Sequence, residues 1–300
     1  MRKGVIAIAF VIAVWTVAAT SAQQPAQPLF KSGVQRVALA AVVRDGKGKL
    51  VTDLTAQDFE LLDAGHRTPV ISVWSEPSPA SVAVLLDVSG SMATKLERAR
   101  ETSRNLLGGL HPDVDEAALF SFDTELTELR EFSTELGSAD RAWASTRAYG
   151  ATSLWDAIAA TAGRIAGRQQ RRALVVITDG VDSASRLKPA EVSAIASSVD
   201  VPVYVVVISL SMETDSNEPR QLRGPLADLA AWTGGDLLVI HDAFTAASAP
   251  REILAELRHQ YLVAFEPGTA PGWHELVLRT RKNGLFVRAR SGYTVGALDR

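Results

Sequence analysis

The 300-residue chain has no cysteine. That excludes disulfides, thiolate metal sites and any lipid anchor attached through a cysteine. A strong charge of either sign is also missing: 31 basic residues stand against 34 acidic ones, a net of −3. Such a chain lacks the basic footprint of a nucleic-acid binder. Its one basic cluster, Arg168, Arg171 and Arg172, reads as the solvated end of a helix, where cations complement the helix dipole. The five histidines, at 66, 111, 241, 259 and 274, show no metal-binding spacing and no evident partner. Only one long apolar run occurs, from Gly4 to Ala19, so no other window is suited to crossing a bilayer.

That run follows Met1-Arg2-Lys3 and precedes Thr20-Ser21-Ala22-Gln23. A basic start, a short apolar stretch and small residues before a polar segment describe a secretory signal peptide over 1–22. The run is short for a membrane span of roughly 20 residues. Cleavage after Ala22 is therefore expected, in preference to an uncleaved anchor, with export to the periplasm or beyond. Losing Arg2 and Lys3 leaves 29 basic against 34 acidic residues, a net of −5. Residues 23–33, with Pro25 and Pro28, read as a disordered lead-in. What remains is long enough for one large core and a smaller one.

The rest changes rhythm twice. Over 34–75 the pattern is short strands: 37–43, 50–51, 59–62 and 70–73, with turns at Asp45-Gly46-Lys47-Gly48 and Asp63-Ala64-Gly65. Glu76-Pro77-Ser78-Pro79 is a linker. Over 81–258 strands and helices alternate. The strands are 82–86, 117–122, 126–130, 173–178, 203–208 and 236–240; the helices are near 92–108, 154–167, 189–199, 225–233 and 246–257. Valine-rich strands alternating with helices predict a doubly wound, mostly parallel α/β sheet, and the short join at Asp123-Thr124-Glu125 predicts one antiparallel edge strand. Over 259–295 strands return at 261–265, 274–280 and 285–290, with Lys282-Asn283-Gly284 as a hairpin turn between the last two. Four short strands cannot bury both faces alone. The flanking segments are thus expected to join into one β-sandwich-like module, the alternative being two separate β appendages. The polar stretch 211–223 reads as a surface loop.

The chemistry sits where the strand Val82-Ala83-Val84-Leu85-Leu86 runs into Asp87-Val88-Ser89-Gly90-Ser91. Oxygen-bearing side chains at i, i+2 and i+4 of extended backbone project to one side. A carboxylate and two hydroxyls there make an all-oxygen corner suited to Mg²⁺ or Mn²⁺. Ligands of doubly wound folds gather at the carboxyl ends of the strands. Two further donors belong to that end: Asp179, directly after the strand ending at Thr178, and Thr152, in the Gly150-Ala151-Thr152-Ser153 segment that opens a helix. Two carboxylates placed close together resist ionisation unless a cation lies between them. Each residue also has a plain structural role open to it. Ser91 and Thr152 are ordinary helix N-caps, Asp179-Gly180 an ordinary turn, and Asp87 a loop or cap residue.

Taken together, Asp87, Ser89, Ser91, Thr152 and Asp179 resemble the metal-ion-dependent adhesion site of the von Willebrand factor type A domain. That pattern is Asp-x-Ser-x-Ser, a downstream Thr, and a further Asp usually followed by Gly. The resemblance covers about 81–258, and the segment from Leu226 to Gly235 shares the family's look. The outer segments resemble those of exported bacterial proteins called VWFA-related. The resemblance implies that the five residues hold Mg²⁺, with Mn²⁺ or Ca²⁺ as alternatives, and that an Asp or Glu of a partner protein completes the coordination. It implies binding rather than catalysis. Specificity would come from the residues around the site: 183–188, the turn at Asp123, and 149–155, although Trp155 reads equally well as core. In some relatives the last helix shifts with ligand, so 246–257 would pass a signal to the β module.

An enzyme fits less well. A haloacid-dehalogenase-type phosphotransferase wants a second Asp where Ser89 stands, and a serine hydrolase wants a Gly two residues before its serine, where this chain has none. A structural envelope scaffold without metal is the remaining alternative.

Overall fold

The computed structural model describes residues 37–198, 200–209 and 224–296. The expected signal peptide, the lead-in and the polar stretch 211–223 lie outside the described residues.

From the N-terminal end come β1 (Val37–Asp45), β2 (Phe59–Asp63), β3 (His66–Thr68) and β4 (Val70–Trp74). The middle of the chain supplies β5 (Ala80–Asp87), α1 (Leu96–Gly108), β6 (Glu116–Phe122), β7 (Leu126–Ser133), α2 (Ala139–Ala144) and α3 (Leu154–Ile165). It continues with β8 (Arg171–Thr178), α4 (Pro189–Ser198), β9 (Val203–Ile208), α5 (Pro225–Thr233), β10 (Leu237–Ile240) and α6 (Ala243–His259). Last come β11 (Tyr261–Phe265), β12 (Gly272–Thr280), β13 (Leu285–Ala289) and β14 (Gly292–Val295).

The expected α/β class holds. Six strands form one sheet in the order β10-β9-β8-β5-β6-β7, parallel throughout except for the edge strand β7. β5 lies between β8 and β6 and every one of its residues is buried. Side chains alternate across a strand, so β5 feeds two cores. Val82, Val84 and Leu86 pack on the face covered by α1 and α6, through Leu96, Ala99, Ile253 and Leu254. Ala83 and Leu85 pack on the opposite face, against Leu154 and Ile158 of α3, Val192 of α4 and Leu229 of α5. Helix α2, which the sequence pattern did not announce, buries Trp143 in the first of these cores.

The flanking strands pair with one another across the chain. One sheet runs β13-β1-β11-β4 and a second β14-β12-β2-β3, and both contribute to a single core that includes Leu39, Phe59, Leu61, Tyr261, Phe265 and Leu278. Tyr261 fixes this core sterically and by hydrogen bonds. Its ring meets Phe59 edge-on at 5.3 Å, while its hydroxyl accepts from Leu54 N at 3.0 Å and donates to Val51 O at 2.9 Å. The segment 50–51 is no strand of its own and makes only a single bridge, Arg44 to Leu50.

Two expectations are corrected. Lys282-Asn283-Gly284 closes no hairpin: β12 pairs with β14 and β2, whereas β13 pairs with β1 in the other sheet. The turn crosses between the sheets, with Gly284 at φ 76°. A glycine of positive φ closes either kind of connection. Pairing with Ala41–Asp45 also covers a β1 backbone that would otherwise form an open edge. Nor is the basic cluster a solvated helix end. Arg171 is buried in β8, and its guanidinium donates to Leu257 O at 3.0 Å, Arg258 O at 2.8 Å and Glu76 O at 2.6 Å. It caps the carboxyl end of α6, where unpaired carbonyls and the helix dipole both favour a cation. Arg168 instead pairs with Glu116 at 3.1 Å and lies over the Phe132 ring.

The sandwich and the α/β layer meet along α5 and α6. Trp232 of α5 stacks on Trp273 of β12 at 5.4 Å. Glu256 of α6, almost wholly buried, is held by Arg44 of β1 at 2.6 Å and by Arg288 of β13.

Candidate metal centre

The corner forms at the carboxyl ends of β5 and β8, adjacent parallel strands paired from Ala80–Arg171 through Leu86–Ile177. Past the last pair the chains diverge into loops, leaving Asp87 and Asp179 at the mouth between them. Asp87 is fully buried and Asp179 nearly so. The Asp87 carboxylate accepts from Ser89 N at 2.9 Å and from the Thr178 hydroxyl at 2.6 Å. Burial pushes Asp87 above the usual carboxylate range. The donors Thr178 and Ser89 pull it back without cancelling the rise, and the charge of Asp179 adds to it.

Three loops are fastened around this point. Gly90 N donates to Gly150 O at 3.0 Å, and Tyr149 N to Val88 O at 2.8 Å, tying the 87–91 loop to the 149–153 loop. Gly150 sits at φ 80°, and a Cβ on it would press on the Asp123 carboxylate at 3.2 Å. Glycine is needed there for both conformation and space. Ser183 N and Ala184 N both donate to Thr152 O at 2.9 Å, joining the 149–153 loop to the 179–185 loop. The Thr152 backbone is thereby bound to the 179–185 loop, and the residue is buried.

The hydroxyls are not consumed as caps. The N-cap position of α1 is Lys95, while Ser91 lies in a preceding 3₁₀ turn, Gly90–Met92. The N-cap of α3 is Ser153, whose side chain makes no cap bond. The first amides of α3 are served from the next loop: Leu154 N donates to Asp182 Oδ1 and Trp155 N to Ser185 Oγ, each at 2.9 Å. Ser89 Oγ and Ser91 Oγ lie 3.2 Å apart, so two of the predicted donors converge. Asp179 does serve its turn, accepting from Val181 N at 3.2 Å through Oδ1. Its other oxygen accepts from Lys95 Nζ at 2.9 Å, so an ammonium stands where a cation is wanted.

Two buried carboxylates, two converging hydroxyls and a threonine fit a hard, oxygen-seeking divalent cation such as Mg²⁺ or Mn²⁺ better than a metal that seeks thiolate or imidazole. Among the described residues no group of three or more His, Cys, Asp and Glu could hold a metal. Sequence reasoning missed Thr178 and Lys95. Thr178 reads as an ordinary strand residue, and Lys95 lies four residues past the motif with no periodic signal to single it out.

Around the mouth, Tyr149 is 78% exposed and Val181 49% exposed. Trp155 is buried core and does not line the rim. Ser183 and Ser185 are engaged in tying loops together. His274, which seemed to lack a partner, is bonded to Asp63 in the sandwich, far along the chain from the motif.

A family model described as the von Willebrand factor type A domain matches residues 82–181, a span that contains all five predicted donors. No curated protein matches the chain. Among solved structures, BatB from Bacteroides thetaiotaomicron is 17% identical, with 59% of this chain and 98% of that one covered at a TM-score of 0.49. An aerotolerance-related membrane protein from Bacteroides fragilis is 20% identical, with 59% and 98% covered at 0.48. A von Willebrand factor type A protein from Catenulispora acidiphila is 16% identical, with 88% and 76% covered at 0.49.

Proposed function

We propose that this is an exported, non-catalytic protein-binding module that docks an acidic residue of a partner on Mg²⁺ held by Asp87, Ser89, Ser91, Thr152 and Asp179. The observation that carries the reading is the burial of Asp87 beside Asp179. A carboxylate whose surroundings disfavour its charge calls for a cation, and the hydroxyls nearest it are free of capping duty. Bound there, Mg²⁺ would supply an open coordination position for an incoming Asp or Glu. The protein's own residues do the rest. Asp87 and Asp179 provide the charge, the loop-to-loop hydrogen bonds keep the hydroxyls in place, and the exposed Tyr149 and Val181 offer apolar contact to the partner. Magnesium sheds water reluctantly, so a partner carboxylate needs such contacts to arrive well oriented. Export rests on the signal-like 1–22; no described helix is long and apolar enough to cross a membrane.

Calorimetric titration with Mg²⁺ and Mn²⁺ tests the metal. The protein should bind, and Asp87→Ala and Asp179→Ala should not. A pull-down from the native envelope, with Mg²⁺ and again with EDTA, tests the docking; a partner retained equally in both would sink the metal-bridged mechanism. A second reading, a scaffold that works without metal, is favoured by one observation: Lys95 already neutralises Asp179. Failure of the protein to bind any divalent ion would select it.

A further inference from the structure

The Lys95–Asp179 pair spans the mouth of the corner, and its two sides differ. Asp179 is fixed in place: its side chain is 2% exposed and its other oxygen is bound by Val181 N. Lys95 can move. It precedes the first turn of α1, its side chain is 25% exposed, and its ammonium ends a flexible four-carbon stem. An ammonium donates through three hydrogens and needs no particular acceptor, so Lys95 can exchange Asp179 for water; the charge left buried is that of Asp179, which the incoming ion then takes over. The corner holds two buried carboxylates, and only one of them has a cation. One ammonium satisfies half of that demand, whereas a divalent ion satisfies all of it. The two cations cannot share Asp179 Oδ2, because like charges at contact distance repel strongly where water is scarce.

We propose that Lys95 is a built-in counter-cation that occupies Asp179 in the metal-free protein and must swing out to solvent before a divalent ion binds. This rests on the reading of the corner as a metal site. Lys95 thereby sets the affinity: it lowers the ion's net gain and keeps the empty site stable.

The test compares Mn²⁺ binding to the purified protein and to Lys95→Met, which keeps the stem and removes the charge. Calorimetry and the electron paramagnetic resonance signal of bound Mn²⁺ are the readouts. Lys282→Met, which removes a lysine paired with Asp58 in the sandwich, controls for net charge. Lys95→Met should bind Mn²⁺ about tenfold more tightly, as expected for releasing an ion pair of this kind. It should also melt at a lower temperature than wild type without metal, and gain more on adding Mn²⁺. Lys282→Met should bind like wild type. Lys95→Gln repeats the comparison should the methionine variant fold poorly. Binding in the Lys95 variants alone would support the exchange in its strongest form. Equal or weaker binding in them overturns the exchange and leaves the metal site standing. No binding in any variant overturns both.

Discussion

Asp87 and Asp63 invite direct comparison. Each is the last residue of its strand, β5 in the α/β layer and β2 in the sandwich, and each is almost wholly buried. Their acidities move in opposite directions. Burial works against both charges, but at Asp63 the Tyr293 hydroxyl at 2.5 Å, Gly268 N at 3.0 Å and His274 at 2.8 Å outweigh it and hold the carboxyl below its usual range. His274 is part of a closed set. Its Nε2 faces Ala270 O at 2.7 Å and its Nδ1 faces Asp63, both acceptors, so both nitrogens carry protons and the ring is a cation. At Asp87 the Thr178 hydroxyl and the Ser89 amide do not offset the burial, and the charge of Asp179 adds to the rise. One buried acid is a finished piece of structure. The other is half of something that needs an external charge.

The largest test of that contrast is Asp63→Ala. It strands the His274 cation, the Tyr293 hydroxyl and Gly268 N in the sandwich, so stability should fall by about 3–5 kcal/mol, read from urea unfolding. A loss near that of an ordinary surface mutation would mean the network is not closed. Arg171→Met comes next. It removes the donor to two carbonyls at the end of α6 and to that of Glu76 in the linker before β5, and about 2 kcal/mol should be lost, again by urea unfolding. In hydrogen exchange the last turn of α6 should open first.

The pH profile is a gentler probe. The Ala270 carbonyl, then Asp63, raise the His274 pKa above its usual 6.5 despite burial. Its contribution is therefore complete below pH 6.5 and lost as pH climbs through the raised value. Asp63, being lowered, contributes above its usual 3.8 and loses that contribution as pH falls through the lowered value. Urea midpoints of wild type should decline on the alkaline side of that window, and His274→Gln should flatten the decline. The smallest effect belongs to Asp87→Asn. A raised carboxyl costs stability as pH climbs from its usual 3.8 to its raised folded value, and the cost is complete above that value. Without metal this variant should thus match wild type or gain up to about 1 kcal/mol. A loss comparable to that of Asp63→Ala would erase the distinction between the two acids.

Much of this was legible in the residues. Val82 to Leu86 declare a buried parallel strand because an apolar run of that length has no other inexpensive home, and Leu96, Ala99, Leu106 and Leu107 mark the buried face of α1. The convergence of Ser89 and Ser91 was legible because their spacing is a local property, and the nearness of Asp87 and Asp179 because both stand at the ends of neighbouring parallel strands. The turn at Lys282-Asn283-Gly284 was not, since its local chemistry suits a hairpin and a crossover alike. Arg171 was misread for a related reason: a basic residue beside a helix end says nothing of a second helix arriving from 86 positions away.

The sequence by itself determined most of the strands and helices, which of their faces are apolar, and that Ser89 and Ser91 stand together beside Asp87. Periodicity and spacing act over a few residues and need no knowledge of the rest of the chain. Only the tertiary structure decided that β13 covers the edge of β1, that His274 meets Asp63 across 211 residues, and that Lys95 rests on Asp179. Each of those depends on which edges and charges remain unpaired once the layers have packed, and no local pattern records that remainder.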